Sequence, residues 1–190
     1  MTSHRTAATP HGPRVLVADA SSAVARTVAR RLIATGRFDV RLLTSDPGSS
    51  DFEWGAGFEA APGCLEDRAS LRRALRTCVA VFADVASGDE VQEATRGRNL
   101  INAVAGAEID YLVLRTRLAH LQAYARSLEL PATVIRPLAR MDLPFESTGN
   151  AVVQMFENPA AYVGRRLAIG GAAQVASTLT NNSHQPEEWS

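Results

Sequence analysis

The chain has 190 residues, 46% of them hydrophobic and 21% charged, which predicts one globular domain with a sizeable core. Its twenty basic and twenty acidic residues cancel, so no surplus of positive charge favours a nucleic-acid partner or an anionic membrane surface. The two cysteines lack metal-ligand spacing and no apolar run is long enough to cross a bilayer, so we expect a cytoplasmic protein that holds no metal.

The segment from Arg14 to Ile33 predicts a buried strand, a tight turn and an amphipathic helix. An apolar run of strand length covers Val15 to Ala18, and apolar residues then recur at helical spacing from Val24 to Ile33. A strand that leads directly into a helix at the start of a domain is typical of nucleotide-binding α/β proteins. The turn at 19–25 contains no glycine, although glycines usually let a phosphate approach the backbone there.

The rest of the chain alternates further strands with helices. Strands are predicted at Asp39–Leu43, Phe58–Ala61, Val79–Val85, Tyr111–Leu114 and Thr133–Ile135. Helices are predicted at Asp67–Leu75, with Asp67 as N-cap, at Glu90–Ala105, and along Leu118, Leu121, Ala125 and Leu128. This alternation predicts an α/β fold, a doubly wound parallel sheet in the order 3-2-1-4-5-6. We expect one compact domain over 14–172, between disordered tails at 1–13 and 173–190.

Six stretches of the chain follow one another in the order and spacing of a known family. They are VLVADASSAVARTVARRLI, RLLTSDP, APGCLEDRASLRRALRTCVAVF, GRNLINAVAGAEIDYLVL, LELPATVIRPL and MFENPAAYVGRRLAIGG, which cover most of residues 14–171. In this order the chain resembles the NmrA-like group of atypical short-chain dehydrogenases/reductases, in a shortened and divergent form. The resemblance implies a Rossmann-like fold that binds NAD(P), in a family that contains both noncatalytic redox-sensing regulators and reductases.

The glycine turn of this family, Gly-x-x-Gly-x-x-Gly, falls by resemblance on Asp19, Ser22 and Ala25. A carboxylate at the first position repels a diphosphate by roughly 1 kcal/mol in water and by several in a drier site. Backbone amides at the helix end remain for weak anion binding. Asp19 is alternatively a helix cap, which is compatible with loss of the cofactor. The turn therefore predicts weakened or lost NAD(P) binding.

Three further cofactor positions of the family fall on altered residues. The arginine that binds the 2′-phosphate of NADP falls on Ser45, and Asp46 after it either takes a ribose hydroxyl or stabilises the turn before Pro47. The Gly-Asp pair that helps to hold adenine falls on Gly63-Cys64. Cys64 is either a reactive thiol or a small buried hydrophobe. These positions favour neither NAD nor NADP.

The catalytic pair of the superfamily, Tyr-x-x-x-Lys, is absent from the chain. Tyr124 has Leu128 four residues later, and all twenty basic residues are arginine. Thr116 lies close to the position of the superfamily's serine, so Thr116 and Tyr124 are the remaining catalytic candidates. A tyrosine that transfers a proton needs a nearby cation to lower its pKa. We therefore expect no catalytic site of the usual kind.

Two covering segments of the family are shortened here. Residues 114–117 pass straight from a strand into a helix, and 138–150 form a short connector where the family builds a substrate lobe. We expect the C-terminal edge of the sheet to expose apolar side chains that a homodimer or a protein partner covers. These side chains are Leu138, Met141, Leu143, Phe145, Val152, Val153 and Phe156.

The leading functional interpretation is a noncatalytic NmrA-like protein with a regulatory or protein-interaction role. One alternative is a divergent NAD(P)-dependent oxidoreductase or isomerase of a biosynthetic pathway, and another is a deletion remnant with little function of its own. A fold alone does not license a function. Cofactor titration separates the first two interpretations, and the stability of the isolated chain separates both from the third.

Overall fold

The computed structural model describes residues 12–48, 58–86, 88–137, 145–170 and 174–177. Its strands in chain order are β1 Arg14–Ala18, β2 Asp39–Thr44, β3 Phe58–Pro62, β4 Ala80–Asp84, β5 Tyr111–Arg115, β6 Ala132–Arg136, β7 Arg166–Gly170 and β8 Gln174–Ser177. They form one sheet in the order β3-β2-β1-β4-β5-β6-β7-β8. Neighbours are parallel from β3 to β7, and β8 is antiparallel to β7. The predicted order 3-2-1-4-5-6 is confirmed, and two strands extend it.

Five α-helices of the described residues cover the two faces of this sheet. They are α1 Ala23–Thr35, α2 Arg68–Ala74, α3 Glu90–Ala105, α4 Ala119–Ser127 and α5 Phe145–Glu157, and a 3₁₀ turn follows at Pro159–Ala161. The hydrophobic core on one face includes residues of α1 and α5, and the core on the other includes residues of α2, α3 and α4. Helices on both faces of a parallel sheet make this the doubly wound, Rossmann-like single domain that the alternation predicted.

Strand β1 shows why these residues form a central strand. Val15 and Val17 belong to one core, while Leu16 and Ala18 belong to the other, and all four are fully buried. Successive side chains of a strand point to opposite faces, so a continuous apolar run suits a sheet that is covered on both sides. The apolar run in the sequence therefore marked a central strand correctly.

Helix α5 corrects two expectations about the C-terminal part of the chain. It begins at Phe145, so the second half of the supposed connector 138–150 is helical. Val152 is fully buried and Phe156 is 8% exposed, because both pack in the core beneath the sheet. The ring of Phe156 meets that of Tyr111 edge-on, with centroids 5.8 Å apart. The expectation that Val152 and Phe156 are exposed is therefore wrong.

The other apolar side chains that we expected to be exposed at the C-terminal edge of the sheet differ in their exposure. Phe145 is 51% exposed, whereas Val153 is partly buried against the core. Leu138, Met141 and Leu143 lie outside the described residues.

Strand β8 lies inside the segment 173–190, which the sequence predicted to be a tail. Its four residues pair with β7, so this part of the segment belongs to the sheet. Residues 1–11 and 178–190 lie outside the described residues. Within the parts of the chain that the structure describes, no helix is both long enough and apolar enough to cross a bilayer.

Candidate functional site

The strand order reverses between β1 and β4, which places a crevice at the carboxyl ends of these strands. In open parallel sheets, ligands bind in the crevice at such a reversal point. The turn after β1, the ends of β2 and β3, and the ends of β4 and β5 all meet at this edge because the strands are parallel. The candidate site is therefore built from these five strand ends.

The turn after β1 is held by its own side chains. Asp19 has φ +72°, the left-handed backbone conformation that glycine adopts most readily and that Asp tolerates. The Asp19 carboxylate accepts hydrogen bonds from the backbone N–H of Ser21, at 3.1 Å, and from the Ser21 hydroxyl. The N-cap of α1 is Ser22, whose Oγ accepts from the N–H of Ala25 at 3.3 Å. The alternative that Asp19 caps this helix is therefore wrong, since Asp19 closes the turn and Ser22 caps the helix.

Beneath this turn, a buried carboxylate links the start of α1 to β4 and β5. Asp84, at the end of β4, is 2% exposed. Its Oδ2 accepts from the hydroxyl of Ser22 at 2.6 Å, and its Oδ1 accepts from Nη1 of Arg115 at 2.8 Å and from the N–H of Ala86 at 3.2 Å. We call Ser22, Asp84 and Arg115 the switch-point cluster. Sequence reasoning missed it, because its three side chains come from separate elements, the start of α1 and the ends of β4 and β5.

A cavity of about 470 Å³ lies beside the turn, on the side of β2 and β3. Four residues proposed from the sequence line it together, namely Asp19, Ser45, Asp46 and Cys64. Asp46 Oδ1 accepts from the N–H of Gly48 at 3.2 Å, which supports a role in the turn. Ser22 and Ala25 are buried at the start of α1 and are not part of the lining.

Two arginines also line the cavity, and both bind protein acceptors. Nη1 of Arg26 donates to the carbonyl oxygens of Ala20 and Ser21, each at 3.2 Å. Nε of Arg96 donates to Oε1 of Glu66 at 2.5 Å. Burial opposes ionisation of Glu66, but the hydrogen bond from Arg96, backbone hydrogen bonding and the positive charge of Arg96 together outweigh burial and hold the pKa of Glu66 below its ordinary value.

The two catalytic candidates lie in separate places. Thr116 is 2% exposed, and its hydroxyl donates to Oε1 of Glu93 at 2.6 Å. The hydroxyl of Tyr124 donates to Oδ1 of Asn102, on α3, at 2.6 Å. Neither residue lines the cavity beside the turn. The structure therefore does not bring Thr116 and Tyr124 together into one site.

Glu93 is a second buried acid that sequence reasoning missed. It is fully buried on α3, and Arg117 donates to it from its backbone N–H at 2.5 Å and from Nε at 2.7 Å. Burial opposes ionisation of Glu93, but the hydrogen bonds from Thr116 and Arg117 prevail and hold its pKa below the ordinary value. The hydrogen bonds of Glu93 connect α3 to the residues just before α4.

Among the residues that the structure describes, no cluster of His, Cys, Asp and Glu side chains could hold a metal ion.

Comparison with known proteins identifies the family of this fold and site. A family model described as NAD(P)H-binding matches residues 20–142, which is more than half of the chain. The chain belongs to the NAD(P)H-binding family. Among curated protein sequences none matches the chain.

Solved structures similar to this NAD(P)H-binding family member include proteins of different lengths. A Rossmann-fold NAD(P)-binding family protein from Shigella flexneri has TM-score 0.70 and 15% identity, over 88% of this chain and 98% of that one. NmrA, a negative transcriptional regulator solved with NADP, has TM-score 0.68 and 18% identity, over 83% of this chain and 66% of that one. A nucleoside-diphosphate-sugar epimerase from Staphylococcus aureus has TM-score 0.74 and 10% identity, over 84% and 71%. All three are less than 20% identical to this chain, and they show that it shares their Rossmann-like fold.

In this member of the NAD(P)H-binding family, backbone amides of the turn after β1 are bonded within the protein. The N–H of Ser21 is bonded to the Asp19 carboxylate, and the N–H of Ala25 is bonded to the Ser22 hydroxyl. The N–H of Ser22 is bonded to the carbonyl of Asp19 at 3.2 Å. Backbone amides at a helix start are the groups that bind a pyrophosphate in such folds. Here three of these amides have acceptors from the protein itself.

Proposed function

We propose that this chain is a noncatalytic member of the NAD(P)H-binding family, with weakened binding of NAD(P) and a regulatory or protein-interaction role. The observation that carries this proposal is the Asp19 carboxylate, which occupies the first position of the turn and holds the N–H of Ser21. A pyrophosphate at this turn has to displace the carboxylate from the amide. It also meets a like charge.

The cost of that like charge follows from Coulomb's law. Two unit charges 4 Å apart repel by about 1 kcal/mol in water and by about 4 kcal/mol at the effective dielectric constant of a protein surface. A loss of 4 kcal/mol corresponds to a roughly thousandfold weaker dissociation constant. This magnitude alone is enough to move a micromolar cofactor site into the millimolar range.

The switch-point cluster supports the noncatalytic half of the proposal. A dinucleotide extends across the reversal point from β2 towards β4, and Asp84 and Arg115 form a buried ion pair at the ends of β4 and β5. Proton delivery in this superfamily also needs a tyrosine near a cation. The hydroxyl of Tyr124 is instead bonded to the neutral side chain of Asn102.

The regulatory half of the proposal rests on two observations. NmrA is named as a negative transcriptional regulator and shares the fold over 83% of this chain. Phe145, the first residue of α5, exposes 51% of its surface, and we propose that a second copy or a protein partner covers this region.

Calorimetric titration with NAD⁺, NADH, NADP⁺ and NADPH tests the binding part of this proposal. We expect dissociation constants on the order of 100 μM or weaker, and Asp19→Gly should strengthen binding at least about tenfold, because it removes the charge at a backbone angle that suits glycine. Asp110→Gly is the matched control, since it removes an exposed carboxylate just before β5, at the opposite edge of the sheet. Low-micromolar binding to the unmodified protein would contradict the proposal.

Turnover of the same cofactors against carbonyl, quinone and alcohol substrates tests the noncatalytic part. We expect no turnover, because loss of proton delivery alone removes roughly 10²–10⁴-fold in rate. Turnover that Tyr124→Phe abolishes would instead support the divergent oxidoreductase.

A further inference from the structure

We infer that the cavity beside the turn binds a nucleoside that carries no phosphate, that is, an aromatic base on a ribose. This inference rests on the proposed function, because it takes the weakened dinucleotide site as its starting point. It goes further, since it assigns a different class of ligand to the part of the site that stays open.

The extent of the cavity is the first observation. Its lining comes from the turn after β1, the end of β2, the loop after β3 and Arg96 of α3. Asp84 and Arg115, at the ends of β4 and β5, are bonded to each other and are not part of this lining. The cavity therefore corresponds to the β2 side of the reversal point, where a Rossmann fold holds the nucleoside half of its ligand.

The second observation is that the groups suited to a phosphate have protein partners. The N–H groups of Ser21 and Ala25 bond to side chains of the turn. The guanidinium groups of Arg26 and Arg96 bond to the turn carbonyls and to Glu66. A phosphate has to compete with these protein acceptors for the amides and the arginines, whereas an uncharged nucleoside leaves the bonds in place.

Charge is the third observation. The lining contains three carboxylates, those of Asp19, Asp46 and Glu66, against the two arginines. Such a lining repels an added negative charge more than it attracts it, and the repulsion grows with each phosphate. We therefore expect affinity to fall from nucleoside to monophosphate to diphosphate, the reverse of the order in a glycine-turn site.

The fourth observation concerns the groups that suit a sugar and a base. Ser45 and Asp46 lie directly after β2, where a carboxylate of this fold binds ribose hydroxyls. The wall opposite is Gly63 to Leu65, the loop after β3. Gly63 has φ +153°, and a Cβ there would lie 2.4 Å from the side chain of Ser70. The backbone of this wall can therefore pass so close to Ser70 because residue 63 is a glycine.

Titration of the intact chain with adenosine, AMP and ADP tests this inference by calorimetry, with NAD⁺ in parallel. We expect adenosine to bind at least about tenfold more tightly than ADP, with AMP between them. Asp19→Asn should narrow this ratio to less than about threefold, because Asn keeps an oxygen that accepts from Ser21 and tolerates the positive φ while removing the charge. Asp110→Asn removes the same charge at the opposite edge of the sheet and should leave the ratio unchanged.

The possible outcomes separate this inference from the proposed function. Tighter binding of ADP or AMP than of adenosine would overturn the inference and would indicate a phosphate held by Arg26 and Arg96. Absence of adenosine binding at millimolar concentration would overturn the inference alone, because weak NAD⁺ binding would still stand. Low-micromolar NAD⁺ binding would overturn both. An adenosine-to-ADP ratio that Asp19→Asn does not change would refute the role assigned to the turn.

Discussion

Replacing Asp84 with alanine tests whether the switch-point cluster is part of the folded core. The Asp84 carboxylate accepts from Ser22, Arg115 and Ala86, and its side chain is 3% exposed. Asp84→Ala leaves the guanidinium of Arg115 without this partner and removes the acceptor of the Ser22 hydroxyl. We expect a large loss of stability from this single change.

The size of the loss follows from the burial of the pair. Removing one partner of a buried ion pair costs about 3–5 kcal/mol. The side chain of Arg115 is 20% exposed, so water compensates part of the loss, and we expect about 3 kcal/mol. In a chain of this length, 1 kcal/mol shifts the melting temperature by about 2–4 °C, so Tm should fall by roughly 6–12 °C.

Thermal and urea denaturation of matched variants measure this loss. Glu146→Ala is the control, because Glu146 pairs with Arg31 on the surface and such pairs contribute about 0–1 kcal/mol. A double-mutant cycle of Asp84→Ala and Arg115→Ala should show a coupling of at least about 1 kcal/mol. A Tm loss no larger than that of Glu146→Ala, or additive effects in the cycle, would refute the reasoning.

Two further predictions concern Glu93 and Gly63. A carboxyl whose pKa is lowered on folding adds stability above its unfolded value, near 4.5, and loses it as pH falls through the folded pKa. Glu93→Gln should therefore lower the urea midpoint at pH 7 and make its fall between pH 7 and pH 3.5 smaller; an equal fall in both proteins would contradict this. Gly63→Ala should lower Tm by the equivalent of about 1–3 kcal/mol, because its Cβ would lie 2.4 Å from a neighbouring side chain at positive φ. Gly106→Ala, with 3.6 Å to its nearest atom, is the control that should change stability by less than about 1 kcal/mol.

The positions of most strands and helices were predictable from the sequence, because the spacing of apolar residues changes along the chain. The order of the strands in the sheet then followed from the alternation of strands with helices. Continuous apolar runs mark strands covered on both faces, and spacing of three and four marks helices. Helix α3 was predicted with the bounds that the structure gives, Glu90–Ala105. Val91 in its first turn is 75% exposed, so a single apolar residue does not show which face of the helix meets the sheet.

Helix α5 was missed because its first half lacks an apolar stripe. Gly149 is buried there, and a Cβ at this position would lie 3.0 Å from Cγ of Arg31 on α1. Thr148 is also buried. Small residues let two helices approach closely, so Gly149, which breaks the apolar pattern of the sequence, allows the close contact with α1.

The buried acids of the site were not predictable from local pattern. Asp84 and Glu93 are buried because their partners come from other elements, Arg115 from β5 and Arg117 from the residues just before α4. Charged residues are almost never fully buried unless they are paired, and a pair formed across the fold leaves no periodic signal in the sequence. The position of the turn was predictable, whereas the buried acids Asp84 and Glu93 and their arginine partners were not.

The altered turn and the buried acid are coupled through Ser22. Its hydroxyl donates to Asp84 and accepts from the N–H of Ala25, so a glycine at this position would remove the N-cap of α1 and a donor to a buried carboxylate together. Asp19, by contrast, already has the backbone angle of a glycine, and replacing it removes its charge and its bonds to Ser21. A dinucleotide turn therefore cannot be restored by three independent glycines, because the second position is tied to the stability of the sheet. In this chain the turn that replaces the glycines is therefore part of the hydrogen-bonded core of the fold through Ser22, rather than of its surface alone.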